Sequence, residues 1–446
     1  MKLRAHIIKL LSALSLLLPG GTSPIVAQPL PNVAGTWNNI LFSVPARLTL
    51  WKNTDGTVFG INETNAFETR TAQFTVQADG SFSGPQSGTF SVVGPGLIRA
   101  SVPGASVTFM INSGSNFMFS MKSDGWANDI ELLLKAPTNV SSNDLAGVWK
   151  SATFGSPAAL TVNTNSNGII TGINGGNNFE ANADVLTTYL DGSFVFSGSG
   201  FGGTFSVQAN GLVHAIVPLP PPNPPLVIDF FINESKDIMA GVMNDGSSQE
   251  LLFFCKQPAD NTEIGQIKGV SNIGYFEIPA YISVITNKDG EVTDVPQRDD
   301  FWYDLSRLSV GHTGIFTDEG ERSMGELSVT QPGTLNVTMG GQNVDTCWIN
   351  ASRDVFFSLH HGSIFEFVIG AKTPALANPR EGMGMMLLQE TNTLMVCWAS
   401  ETNRCLQASP DCANWTNLTS TLGQSSYTLS ATNGPKSFYR VADDAP

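Results

Sequence analysis

The sequence predicts an all-β protein: three tandem antiparallel β-barrel (or β-sandwich) repeats followed by a small C-terminal β-sandwich module. Three observations predict it. One ordered set of landmarks recurs three times along the chain. Apolar residues alternate with small polar ones in short runs bounded by Gly, Asn and Asp. No window carries the 3.6-residue apolar spacing of a core helix. The segments read as 1–27 signal peptide, 28–138, 139–259 and 260–375 for the three repeats, and 376–446 for the tail module.

Residues 1–27 have the form of a secretory signal. Lys2, Arg4 and Lys9 precede the apolar run Leu10 to Leu18, Pro19 and Gly20 end any helix, and Ala27 offers a small residue for cleavage. The run is far shorter than the roughly 20 residues of a membrane-spanning helix. The mature chain is therefore expected to be secreted or on the cell surface, with no integral membrane segment after cleavage. The full chain holds 23 Lys+Arg against 38 Asp+Glu; losing three basic residues with the signal leaves a net charge of −18. Such a surface cannot neutralise phosphates, which excludes nucleic acid as a partner.

Each repeat opens with a Gly-x-apolar step: Gly35-Thr36-Trp37, Gly147-Val148-Trp149 and Gly265-Gln266-Ile267. A Pro-Ala-led strand follows, beginning at Pro45, Pro157 and Pro279, and runs into the turns Asn53–Gly56, Asn165–Gly168 and Asn287–Gly290. Asp-Gly and Asn-Gly accept the positive φ that tight hairpins need. Phe90-Ser91-Val92, Phe205-Ser206-Val207 and Leu327-Ser328-Val329 form one equivalent strand. Phe109-Met110-Ile111-Asn112, Phe231-Ile232-Asn233 and Trp348-Ile349-Asn350 form the next. A last hairpin turns at Asp124-Gly125, Asp245-Gly246 and His361-Gly362, and the closing strands end at Lys135, Lys256 and Lys372, 121 and 116 residues apart. The run Leu226 to Phe231 is apolar enough to predict burial on both faces. Roughly eight to ten strands in about 110 residues give each repeat an independent core, closed as a barrel or a sandwich to protect its edges.

The opening Gly-x-Trp of the first two repeats, with Lys135 and Lys256 near the last strand, resembles lipocalin-like and avidin-like up-and-down barrels. The resemblance implies a Trp at the barrel floor covered by a cation from the closing strand; Ile267 in the third repeat departs from it. The tail carries Trp398, then Cys405-Leu406-Gln407-Ala408-Ser409-Pro410-Asp411, Asn414-Trp415-Thr416 and Ser437-Phe438-Tyr439-Arg440-Val441. That order resembles the β module closing many exported proteins of verrucomicrobial bacteria, and implies export without implying chemistry.

Catalytic machinery is not evident. Apart from His6, the histidines are His214, His312, His360 and His361, none in a metal-binding spacing, and no nucleophile elbow or phosphate loop occurs. His360 and His361 read as an exposed polar turn. The Asn-x-Asp-Gly turns lack the later carboxylate of a calcium loop. Cys255 and Cys347 read as buried small hydrophobes, and one disulfide is expected among Cys397, Cys405 and Cys412. No cofactor, metal or catalytic residue is expected.

Acidic residues crowd the third repeat, including Glu277, Asp289, Asp294, Asp304, Asp318 and Glu326. They read as a solvated face. The Pro-rich segment from Pro218 to Pro225 reads as an extended surface loop. The leading function is a non-enzymatic secreted or cell-envelope protein for adhesion, scaffolding or weak ligand capture. One alternative is carbohydrate binding through exposed Trp51, Trp126, Trp302 and Tyr303. Another is a glycoside hydrolase using the third-repeat carboxylates. Carbohydrate or a cell-surface protein is the expected partner. The abundance of Phe, Leu and Ile predicts solid cores in all three repeats.

Overall fold

A computed structural model of the chain describes residues 31–61, 67–173, 179–296, 301–311, 314–320 and 323–374, together with short strands of the tail. The signal peptide lies outside the described residues.

The three repeats are closed eight-stranded antiparallel barrels, which resolves the choice between barrel and sandwich. Their first strands are Gly35–Pro45, Gly147–Pro157 and Gly269–Pro279, and their closing strands Ala127–Lys135, Ser248–Lys256 and Ile364–Lys372. Each first strand pairs with both the closing strand and the next barrel strand, so no edge is left open. The Gly56, Gly168 and Gly290 turns cap a two-stranded accessory hairpin at the mouth of each barrel, with φ of +88°, +78° and +80°. The tail's described strands form two three-stranded sheets. Cys405 is buried there, whereas Cys412 and Trp415 fall outside the described residues.

The third barrel opens at Gly269, not at Gly265. Gly35, Gly147 and Gly269 share a positive φ of +134°, +139° and +125° and lie beside Lys135, Lys256 and Lys372. Gly265-Gln266-Ile267 instead belongs to the helical turn Ile264–Ile267 that precedes the barrel. In register, Ser271 therefore stands where the other barrels carry Trp37 and Trp149.

The barrels are not beads on a string. Along each first strand one set of alternate residues faces the barrel interior, and the other set faces a core shared by all three. Phe42, Phe154 and Phe276 meet there edge to face, with ring centroids 5.9, 6.0 and 6.3 Å apart. Gly274 admits the neighbouring barrel, since a Cβ there would lie 2.7 Å from Met121 and 2.9 Å from Phe119. The strands buried on both faces are these first strands, the closing strands and much of the strands before them, Phe117–Ser123, Ile238–Asn244 and Val355–His360. The Leu226–Ile232 strand is not among them, because its outer face leaves Val227 exposed to solvent.

At the floor end the same axis is tied by a buried polar ring. The recurring Asn112, Asn233 and Asn350 each accept N–H bonds from their own turn, for instance from Asn116 and Phe117 at 3.0 Å. Each then reaches into the next barrel: Asn112 donates to Asp354 at 2.8 Å, Asn350 to Asp237 at 2.9 Å and Asn233 to Asn116 at 3.1 Å. Lys135 adds an ion pair to Glu234 of the second barrel at 3.1 Å. Burial raises the Asp354 carboxyl above its usual range.

Candidate barrel cavities

The floors of the first two barrels have one construction. Trp37 Nε1 donates to the Val33 carbonyl at 2.7 Å, and Trp149 Nε1 to the Leu145 carbonyl at 2.8 Å. The closing lysines cover these floors: Lys135 donates to the Asn32 carbonyl and Lys256 to that of Asp144, with the Lys256 ammonium 5.6 Å from the Trp149 ring. The floor tryptophan with its closing-strand cation is thus present, as the lipocalin-like pattern implies. In the third barrel Lys372 still donates to the Gln266 carbonyl at 3.0 Å, but Ser271 supplies no ring. Burial lowers both Lys256 and Lys372 from the usual lysine range.

Interior positions in register explain how full each barrel is. In the first barrel Trp37, Phe74, Phe82, Phe90 and Phe109 pack together. The third barrel places Ser271, Leu308, Phe316, Leu327 and Cys347 at the same positions. It regains volume where Phe356 replaces Met118 and lies over Gly370, and where Tyr275 replaces Leu41. A cavity of about 800 Å³ results, running from Ile267, Ser271 and Lys372 at the floor to Gly362 and Ile364 at the mouth. The second barrel keeps Trp149 but encloses about 610 Å³ in its upper half. Solid cores are therefore not found in the second and third barrels. In the third barrel the missing rings, above all the one replaced by Ser271, are the physical reason.

The third-barrel cavity is graded. Ile267, Ile273, Leu308, Val310, Leu335 and Ile349 make most of the lower wall apolar above a base of Ser271, Arg353, Asp354 and Lys372, while Glu277, Asp318, Asp345, His360 and Glu366 line the upper part. Tyr275 and Ser306 hydroxyls donate to Asp318, and the Gly320 N–H adds a bond at 3.0 Å. Burial raises Asp345, although the Thr346 N–H opposes this at 2.6 Å. The Cys347 thiol, also pushed well up by burial, is an unreactive part of the wall. Glu277 and Asp318 are accordingly cavity groups and not part of a solvated face. Among the described residues no three acids, histidines or cysteines approach one another as a metal would require.

A carboxylate rung recurs just below each mouth, a signal hidden in sequence because its members are far apart. In the first barrel Ser43 lies between Glu68 and Asp129, and in the second Gly155 lies between Glu180 and Glu250. In the third, Glu277 lies between Trp302 and Glu366. The next position on this rung is Lys122, Met243 and His360 in turn. His360 thus sits at the cavity mouth opposite Glu366, not in a bland turn.

The four aromatic residues predicted as a binding surface are dispersed. Trp51 lies on the first accessory hairpin, 46% exposed and stacked on Phe59 at 5.9 Å. Trp126, 53% exposed, tips the last hairpin of the first barrel. Trp302, 42% exposed, stands on the cavity-side rung beside Glu277. Tyr303 pairs with Phe276 on the opposite face and packs against the shared core, so it is not an exposed platform. The Pro-rich loop runs over the second barrel's mouth, where Leu219 lines the cavity.

The sequence matches no known family and no curated protein. Among solved structures, the chain is similar to transferrin-binding protein B of Haemophilus parasuis, a Trp-to-Ala mutant. That match has 10% identity, coverage of 78% of this chain and 77% of that one, and a TM-score of 0.24. The corresponding protein of Neisseria meningitidis matches at 9% identity, 76% of each chain and a TM-score of 0.19. A protein of unknown function from Nostoc punctiforme matches at 7% identity, 52% of this chain and 99% of that one, with a TM-score of 0.16.

Proposed function

We propose that the chain is an exported, non-enzymatic binding protein whose third barrel holds a small amphipathic molecule, apolar end toward the floor. The supporting observation is the graded cavity of about 800 Å³ in the one barrel whose floor tryptophan is replaced, by Ser271. That volume falls within the range of small-molecule sites, roughly 300–1,000 Å³. The apolar lower wall drives entry by burial, and the upper carboxylates and the Tyr275 hydroxyl orient the polar end. Titration with Nile red, a neutral apolar dye, tests the reading against Ser271→Trp. Wild type is expected to enhance the dye's fluorescence, with affinity at least tenfold weaker in the variant. Equal binding by both proteins would refute a third-barrel site.

Carbohydrate recognition is the second reading, favoured by Trp302 on the cavity-side rung next to Glu277. A sugar ring stacked there would be held by flanking acids. Glycan-array binding lost in Trp302→Ala would support it, and a blank array would remove it.

A further inference from the structure

We infer that the second barrel is a separate site for an organic ammonium ion carried on an apolar body. The argument is a comparison of the same rung in sister barrels. In the first barrel the chain supplies its own ammonium: Lys122 Nζ lies 3.6 Å from Asp129 and 3.3 Å from Glu131, inside the barrel. In the second barrel that position is Met243, and among the described residues no cation approaches the rung carboxylates Glu180 and Glu250. Space for one exists, because Met243, Glu180 and Glu250 all line the 610 Å³ cavity. Gly155 between the two acids keeps their side chains together; a Cβ there would lie 2.9 Å from Glu180 Cγ and 3.2 Å from Glu250 Cγ. Phe196, Phe230, Phe254 and Leu226 give the rest of the wall a large apolar and aromatic share, beside the polar Ser151, Thr153, Asn182 and Asp184. A primary amine on a hydrocarbon body would place its head where the Lys122 ammonium stands in the first barrel.

Below about pH 7 the empty rung holds a proton in its place. Burial, then the nearby Glu180 charge, pushes Glu250 up to about 7, and Glu180 is raised chiefly by burial. Asn182 donates to Glu180 at 3.1 Å and Ser248 to Glu250 at 3.3 Å. The other charged groups on surrounding elements are already engaged or face outward. Asp184 accepts from Val185 and Gly198 N–H, and Asp245 is bonded within its own turn. Lys150 lies on the outer face of the first strand, and Glu68 and Arg70 of the adjoining first-barrel strand pair with each other at 3.8 Å. Entry of an ammonium ion below neutrality therefore breaks the carboxyl O–H bond and passes the shared proton to water, leaving two carboxylates around one cation with no covalent bond to the amine.

Decylammonium, decanol and decanoate, which share one hydrocarbon body, test this by calorimetric titration of the mature chain. Decylammonium is expected to bind. Its affinity should rise about tenfold per pH unit up to about pH 7 and then level, with one proton released as read from buffers of different ionisation enthalpy. Met243→Lys, which rebuilds the first barrel's arrangement, should abolish this binding, whereas Ser271→Trp should leave it intact. Glu250→Gln provides a second variant, expected to bind at least tenfold more weakly and without proton release. Binding of decanol or decanoate as tight as that of decylammonium would overturn the inference, as would undiminished binding in both Met243→Lys and Glu250→Gln. Loss of binding in Ser271→Trp alone would assign the amine to the third barrel instead.

Discussion

Replacing Phe154 with alanine tests whether the three barrels unfold as one body. Its ring is 1% exposed and lies 5.9 Å from Phe42, 6.0 Å from Phe276 and 5.9 Å from Phe367, so it touches both other barrels. A buried Phe→Ala change costs about 3–5 kcal/mol through lost transfer energy and the cavity left behind. Spread over a single transition of roughly 340 residues, at an unfolding entropy of about 2.1 cal/mol/K per residue, the midpoint falls by about 4–7 °C. If the barrels unfolded separately, the same loss would fall on one unit of about 110 residues and lower its midpoint by roughly 13–22 °C, the others staying put. Differential scanning calorimetry separates the two. One symmetrical transition, shifted as a whole, is expected for the barrels. A component that moves far ahead of an unshifted remainder would refute the shared core as the source of cooperativity. Phe205→Ala, inside the second barrel, is the control for a perturbation distant from the axis.

Three further outcomes are expected. Glu250 has a folded pKa of about 7 against a usual 4.5, so its contribution favours the fold at low pH and is lost as pH rises from about 4.5 through 7. The loss amounts to at most about 3 kcal/mol before solvent screening reduces it, and urea midpoints at pH 5 and 8 should differ more in wild type than in Glu250→Gln. Ser271→Trp should raise the melting temperature, since the indole can donate to the Ile267 carbonyl as Trp149 does to Leu145. The net gain is about 1–2 kcal/mol, because Phe356 must give way, and a fall in melting temperature would show that the floor has been remodelled beyond reach of the ring. Asp237→Ala should cost about 2–4 kcal/mol in chemical denaturation, because the buried Asn350 amide and the Ser352 N–H both lose their acceptor. Asp237→Asn, which keeps an acceptor, should cost less; equal losses would mean that the ring matters by volume alone.

The repeats were legible because hairpin chemistry is local: Asn-Gly and Asp-Gly turns and alternating strands carry their meaning within a few residues. The Trp and Lys of each floor were legible as well, being fixed landmarks at the two ends of a repeat. Ser271 was not. The helical turn before the third barrel also contains a glycine, Gly265, and anchoring the repeat there put Ile267 in the place of the tryptophan. A four-residue offset therefore concealed the substitution that opens the cavity. The rung of Glu180 and Glu250 was hidden for a different reason, since its members meet only when the first strand is bracketed by strands distant in sequence. The shared core is not legible in the sequence, because strands buried on both faces look, residue by residue, like richly apolar strands of a single barrel. Recurrence of Asn112, Asn233 and Asn350 was visible, but a turn explained it locally, and the bonds into the neighbouring barrel depend on the assembled axis.

The shared core also accounts for why interiors in this protein differ so widely. In an isolated barrel the interior is the main apolar core, so removing a tryptophan and several phenylalanines from it would leave little to hold the fold. Here the outer faces of the first and closing strands bury a second core, with Phe42, Phe154 and Phe276 at its centre. The third barrel can lose interior rings at Ser271, Leu327 and Cys347 because its walls are held from outside. The first barrel keeps its rings and fills its rung with Lys122. The second keeps its floor but leaves its rung open. One shell thus carries three interiors, closed, half open and open, and the axis that makes the differences tolerable is the feature most directly tested by Phe154→Ala.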